Sequence, residues 1–243
     1  KKIIKGWIFY DWANSVYNLV ISTAIFPIFY SNITEAHYLE RTGRAGQELQ
    51  DGENVMVLFM GHEISNSALL SYVLAASFLM VSLLSPFLSG VADFTGNKKR
   101  FLQFFCYLGA ASCASLYFFD PNHMFWGMLS VFLASIGFWH SFVFYNAFLP
   151  EIADPKDHDN ISARGFSMGY FGSMILLVNY LAMIMFVDQS LTTLCFILVG
   201  VWWAGFAQVT FKRLPNNVFQ RKKADGGVVW KGFRELRNVF KEF

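Results

Sequence analysis

The chain has 243 residues, of which 55% are hydrophobic and 15% charged, with a net charge of +2 and 28 Phe. Soluble domains carry about a quarter charged residues, so this chain lacks the polar surface to cover itself in water, and lipid is the solvent its composition calls for. The small, scattered positive charge excludes a nucleic-acid partner, because no basic stripe lies on a polar, foldable segment.

Six apolar segments reach the roughly 20 residues that a helix needs to cross a bilayer. They cover residues 7–30, 67–91, 101–119, 124–149, 163–187 and 191–211, and they predict an all-α membrane protein with 1–211 as its transmembrane bundle. Lys1, Lys2 and Lys5 precede span 1, as in a secretory signal. Asp11, Asn14 and Asn18 interrupt its apolar run, however, and the run continues to Tyr30, which marks a true span. Asp11, Asn14, Ser15, Asn18 and Ser22 recur at helical spacings of three and four, within about a third of the circumference. A polar stripe on a spanning helix must face protein or a water-filled cavity, since a charge at mid-membrane costs at least ~2.5 kcal/mol. Packing against polar partners and lining a solute pathway both meet that demand. Two Asn and an Asp exceed what packing normally needs, and Asp11, near the end of the span, also suits the anchor of a gate.

Residues 32–66 form a long, polar, acid-rich connection. Its sequon at Asn32 lies too near the span to matter. Span 2, which carries Tyr72, ends in Ser89-Gly90-Val91-Ala92-Asp93-Phe94-Thr95-Gly96-Asn97-Lys98-Lys99-Arg100. Small residues here let the backbone turn tightly and let helices approach. Asp93 is an acid at a membrane boundary, with three cations following to pair with it and with anionic headgroups. Spans 3 and 4 are joined only by residues 120–123, which forces antiparallel neighbours. Cys106, Cys113 and Cys195 lie inside apolar runs without metal or disulfide spacing, and read as small packing residues.

Span 4 holds His140 near its middle and ends in Asn146, Pro150 and Glu151. A mid-membrane His carries a proton at physiological pH or stays neutral and hydrogen-bonds between helices; both readings stand. Glu151 suits a cap or an ion pair at the boundary, beside Arg164 at the start of span 5. In span 5, Gly165, Gly169 and Gly172 share one face with Ser173 alongside, a spacing that permits close helix packing. The formal G-x-S-x-G around Ser167 is accidental, because all five His lie earlier in the chain, whereas a hydrolase elbow needs one later.

After span 6, residues 212–243 read as a basic linker. Past Gly226-Gly227 it carries an amphipathic helix, with Val229, Trp230, Phe233, Leu236, Val239 and Phe240 among Lys231, Arg234, Arg237 and Lys241. A start at Lys1 and an uncapped end at Phe243 lead to the expectation that the chain is a piece of a longer one. Lys and Arg placement orients the bundle. With a cytoplasmic amino terminus, only Arg41 and Arg44 fall on the outer side.

The 89–100 segment resembles the signature of the major facilitator superfamily between helices 2 and 3, G-x-L-a-D-r-x-G-r-r-k. Asp93, Gly96, Lys98 and Lys99 match, while Ser89 stands for the first Gly and Asn97 for the usual Arg. A narrower resemblance rests on Tyr10-Asp11-Trp12-Ala13-Asn14-Ser15, on Tyr145-Asn146-Ala147-Phe148-Leu149-Pro150-Glu151-Ile152 and on residues 162–173. Together they resemble the vacuolar amino-acid effluxer-like (autophagy-related permease) family.

The resemblance implies the amino-terminal half of a twelve-helix major facilitator fold. The other six-helix half is then a missing partner, and the 89–100 loop acts as a latch between halves during alternating access. It also implies a small polar solute, amino acids being the best-known class, with a proton gradient as driver. A plasma or inner membrane is expected in a bacterium and a vacuolar one in a fungus. Nothing resembles a nucleotide-binding loop, clustered metal ligands or paired catalytic groups, so no cofactor, no metal and no enzyme activity are expected. A six-span scaffold or channel-like protein is the alternative.

Overall fold

The structure is a computed structural model that describes residues 1–50, 52–186 and 191–216. The expected amphipathic tail helix lies outside the described residues, as do residues 187–190 between spans 5 and 6.

Among the described residues, six helices are long and apolar enough to cross a membrane. Span 1 is a continuous helix over Lys2–Arg41, built from α1 (Lys2–Val16), a π-helical stretch (Tyr17–Ile25) and α2 (Phe26–Arg41). The π stretch has a local cause. Pro27 has no N–H to give the carbonyl of residue 23, and its ring crowds that carbonyl; the wider turn relieves the clash. The Thr23 hydroxyl meanwhile donates to Asn18 O at 2.9 Å, five residues back.

Span 2 is α3 (Asn66–Thr95), which contains Pro86 and stops where Gly96 turns left-handed at φ 68°. The later spans are α4 (Lys98–Ser115), α5 (Met124–Asn146), α7 (His158–Phe186) and α8 (Thr192–Arg213). The short α6 (Leu149–Ile152) follows Phe148. It ends the helical course of α5, because Pro150 cannot continue that hydrogen-bond ladder.

Residues 32–66, expected as a polar loop, are largely structured. Helix α2 runs to Arg41, and an antiparallel hairpin of β1 (Met56–Phe59) and β2 (His62–Ser65) follows. Its two-residue turn, Met60-Gly61, has positive φ at both positions, 50° and 84°, the geometry that matches the twist of paired strands. Before the hairpin, Glu53 accepts from both terminal nitrogens of Arg44, from Tyr38 Oη at 3.0 Å and from Gln50 N at 3.2 Å.

Packing follows a single rule. Span 1 (α1) is flanked by α7 and α8, span 4 (α5) is flanked by α3 and α4, and α4 meets α8. Exchanging spans 1–3 for spans 4–6 leaves this set of neighbours unchanged, which is the packing pattern of an inverted repeat. Spans 1, 3, 4 and 6 each have a packed span on both sides, and spans 2 and 5 lie at the two ends of the row. Trp7, Tyr10, Phe144, Phe148, Phe196 and Trp203 fill the core between the spans. The tightest crossing is α4 on α5, where a Cβ added to Gly137 would meet the backbone of Gly109. Helices α3 and α7 leave Leu79, Leu83, Phe171 and Met185 uncovered, which costs nothing when the surroundings are lipid or another apolar surface.

Gly137→Ala is expected to lower the thermal stability of the detergent-solubilised protein by about 1–3 kcal/mol through overpacking. Gly205→Ala, at a helical position open to 4 Å, leaves stability unchanged or raises it; equal effects at the two sites would contradict the crossing. A second expectation concerns pH. The hydrogen bonds from Arg44, then the Gln50 N–H, pull the Glu53 carboxyl from 4.5 down to about 2. A depressed carboxyl supports the fold above its unfolded value and stops doing so below its folded one. Amide exchange at Gln50, corrected for intrinsic rates, should stay protected from neutral pH to 4.5 and lose protection towards pH 2. Glu53→Gln should remove that dependence.

Candidate membrane cavity between spans 1, 4 and 5

The two motifs that sequence resemblance singled out in spans 1 and 4 lie against each other. Trp7 Nε1 donates to Tyr145 O at 2.9 Å, and the two rings stack with centroids 4.2 Å apart. Tyr10 packs on the same tyrosine at 5.0 Å. This clamp aims the Tyr145 hydroxyl at Asp11, and Oη donates to Asp11 Oδ2 at 2.8 Å. Span 5 closes the arrangement from the other side. A Cβ on Gly165 would collide with Asp11 Oδ2, and one on Gly169 with Ser15 Oγ. The glycines of α7 therefore let it lie directly on the polar face of α1.

Just beyond Asp11 the three spans part to leave a cavity of about 480 Å³. Span 1 lines it with Asp11, Asn14, Ser15, Asn18, Leu19 and Thr23. Phe138, Trp139 and Phe142 come from α5, and Phe166, Tyr170 and Ser173 from α7. Asp11 is 4% exposed and is the one ionisable carboxylate among the lining residues; no Lys or Arg faces it there. Asn14 is 1% exposed, and its Nδ2 has no hydrogen-bond partner among the described residues. Ser173 Oγ is turned back onto Gly169 O at 2.7 Å. Chemically, then, the cavity offers a carboxylate, an unused amide donor and a wall of aromatic rings. No group of metal-ligating residues occurs among the described residues.

Several expected pathway residues lie elsewhere. Ser22 does not line the cavity and Thr23 does, because the π stretch advances about 4.4 residues per turn instead of 3.6 and shifts the face that follows Asn18. His140 is fully buried against Phe105 of α4, ring centroids 4.5 Å apart. Its Nδ1 donates to Ile136 O at 3.1 Å, and it is not part of the cavity lining. Tyr72 sits on the uncovered side of α3, 65% exposed. Asn146 is exposed at the end of α5. The aromatic wall was not legible in sequence, since Phe138, Trp139, Phe142, Phe166 and Tyr170 read there as ordinary span residues.

The 89–100 segment forms a separate charged cluster at the bundle end. Lys98 Nζ bridges Asp93 Oδ1 at 2.7 Å and Glu151 Oε1, tying the end of span 2 to the short helix after span 4. Lys99 Nζ donates to Leu214 O at 2.9 Å and to Asn216 Oδ1 at 2.8 Å, holding the end of span 6. Gly96 supplies the left-handed turn between them. Ser89 and Gly90 lie one turn earlier on α3, with open space around Gly90. Arg100 is exposed in the first turn of α4.

Six spans among the described residues, with an inverted-repeat packing and a polar cavity between spans 1, 4 and 5, define the amino-terminal half of a major facilitator fold. Residues 1–243 match the family described as "Vacuole effluxer Atg22 like" along their whole length, and the chain belongs to that family. It is 31% identical to an MFS-type transporter, YxiO, of Bacillus subtilis (strain 168), over 97% of this chain and 51% of the relative. It is 23% identical to autophagy-related protein 22-1 of Phaeosphaeria nodorum, over 85% of this chain and 46% of the relative. With autophagy-related protein 22 of Coccidioides immitis it shares 26% identity over 64% of this chain and 30% of the relative. The chain spans about half the length of the first two of these relatives. No solved structure matches it.

Tyr145→Phe would leave Asp11 buried without its donor. It should cost about 1–3 kcal/mol in thermal stability, against no measurable loss for Tyr72→Phe on the uncovered face of α3. Equal behaviour of the two variants would show that the Asp11 contact contributes nothing.

Proposed function

We propose that the protein is a secondary active transporter of a small polar solute, and that its six-helix bundle supplies one wall of an alternating-access pathway. The observation that carries this reading is the cavity at Asp11 and Asn14. Buried polar groups inside a membrane protein are expensive and are normally satisfied. Here an amide donor is left unused beside a carboxylate with no cation, in a space large enough for a small molecule. Efflux is the direction suggested by the family description.

Amino acids are the solute class we assign. Asp11 complements an ammonium group, the Asn14 amide complements a carboxylate, and the aromatic wall suits an apolar side chain or stacks on a cation. A proton gradient is the driver we assign, with Asp11 as the group that takes the proton. It is the one carboxylate among the residues lining the cavity, whereas His140 is packed away from it. The latch role belongs to the Asp93–Lys98–Glu151 cluster, which joins spans 2 and 4 across the bundle end and would face the second half of the pathway. The amino terminus is assigned to the cytoplasm on the Lys and Arg distribution.

Flux of labelled amino acids into proteoliposomes of the full-length protein tests the proposal. Asn14→Ala and Asn18→Ala should each reduce flux about tenfold or more if the span 1 face binds solute, at the scale of about 1.4 kcal/mol per decade. Asp11→Asn should abolish the response to an imposed pH gradient. Flux unaffected by the two Asn variants would remove the site assignment. Flux indifferent to a proton ionophore would remove the coupling, and absence of any flux would favour a scaffold.

A further inference from the structure

A second cavity, of about 430 Å³, opens at the end of the bundle that bears the amino terminus. Three cations rim it, each from a different span: Lys5 on α1, Arg164 on α7 and Arg213 on α8. Its floor is apolar, formed by Ile8, Phe9 and Met168. We propose that this cleft binds the phosphate headgroup of an anionic phospholipid, with an acyl chain lying along the face of α1 between α7 and α8.

Charge is the first argument. None of Lys5, Arg164 and Arg213 has an ion-pair partner among the described residues. Three like charges brought to one cavity repel unless an anion joins them. Two of them are guanidinium groups, whose forked donors match phosphate oxygens.

Preorganisation is the second. Arg213 is held against α1, because a Cβ on Gly6 would lie 2.5 Å from the Arg213 Cβ. The Thr210 hydroxyl, one turn earlier on α8, donates to Gly6 O at 2.8 Å. Arg164 directly precedes Gly165, where α7 lies hard against Asp11 of α1. Both arginines therefore project from backbone that packing has fixed.

The shape of the groove is the third, and it selects a lipid over a soluble anion. Helices α7 and α8 each pack along α1 and scarcely touch one another. Phe9 lines the cavity, and beyond it Trp12 fills the α1 face between α7 and α8, against the Gly172 position of α7, so the apolar course runs over these rings. Phe9 packs on Phe206 at 6.0 Å and Trp12 stacks on Trp202 at 5.5 Å. A basic end at the membrane boundary and an apolar course running into the span complement the two parts of a phospholipid. A free phosphate would use only the first. The site lies apart from the solute cavity, and the proposal does not depend on the transport reading.

The test is native mass spectrometry of the purified full-length protein, titrated in detergent with dioleoylphosphatidylglycerol or dioleoylphosphatidylcholine. The first phosphatidylglycerol should bind about tenfold or more tightly than phosphatidylcholine. Arg164→Gln combined with Arg213→Gln should bring its binding down to the phosphatidylcholine level. Arg164→Lys combined with Arg213→Lys should keep most of it. Lys2→Gln, exposed and outside the cleft, should leave binding as in the wild type. Equal retention of the two lipids by the wild type would overturn the proposal and needs no variant to be made. So would unchanged phosphatidylglycerol binding in the Gln double variant. Full displacement of the lipid by millimolar inorganic phosphate would identify a soluble-anion site instead.

Discussion

The contact between Asp11 and Tyr145 organises this bundle. A carboxylate inside a span has to be satisfied by protein, and Tyr145 Oη does so at 2.8 Å from span 4. That bond joins span 1 directly to span 4. The Trp7–Tyr145 stack and the Trp7 hydrogen bond to Tyr145 O hold the same pair from a second direction. Span 5 then has to approach the carboxylate from the remaining side, and only the bare Gly165 leaves it room. The clamp and the close approach of span 5 both meet at the acid at residue 11.

The cavity and the bundle end do different work. Around Asp11 and Asn14 the walls are well packed below and part above, so polar groups remain available next to rigid aromatic rings. At the bundle end, charges are paired where helices must be tied, as in Lys98 between Asp93 and Glu151. They have no ion-pair partner among the described residues at the cleft of Lys5, Arg164 and Arg213. The same residue types serve as struts in one place and as ligands for an anion in the other. Geometry distinguishes them: an acid lies within reach of Lys98, and none lies within reach of the cleft among the described residues.

The π-helical stretch of span 1 links the fold to the cavity. Its cause is local, a proline at 27. Its effect is not local, because it re-aims the face beyond Asn18 and brings Thr23 to the cavity in place of Ser22. A periodicity of 3.6 residues, projected along the whole span, therefore predicts the polar face correctly through Asn18 and fails just past it.

Much of the architecture was legible in the amino-acid sequence because the solvent imposes it. Hydrocarbon demands runs of about 20 apolar residues with every backbone group bonded internally, so the spans and the short turn at 120–123 follow from composition alone. The pairing of polar span 1 residues with protein follows from the same cost. Residues 56–65 were not legible as a hairpin, since Met60-Gly61 is a weak turn signal and the strands are stabilised by packing on neighbouring helices. Nor could spacing along single helices reveal the partners across them: Tyr145 for Asp11, Glu151 for Lys98, Phe105 for His140. Those depend on the crossing of helices distant in sequence, and only the tertiary structure decided that Asp11 opens onto a cavity while His140 is sealed in the core.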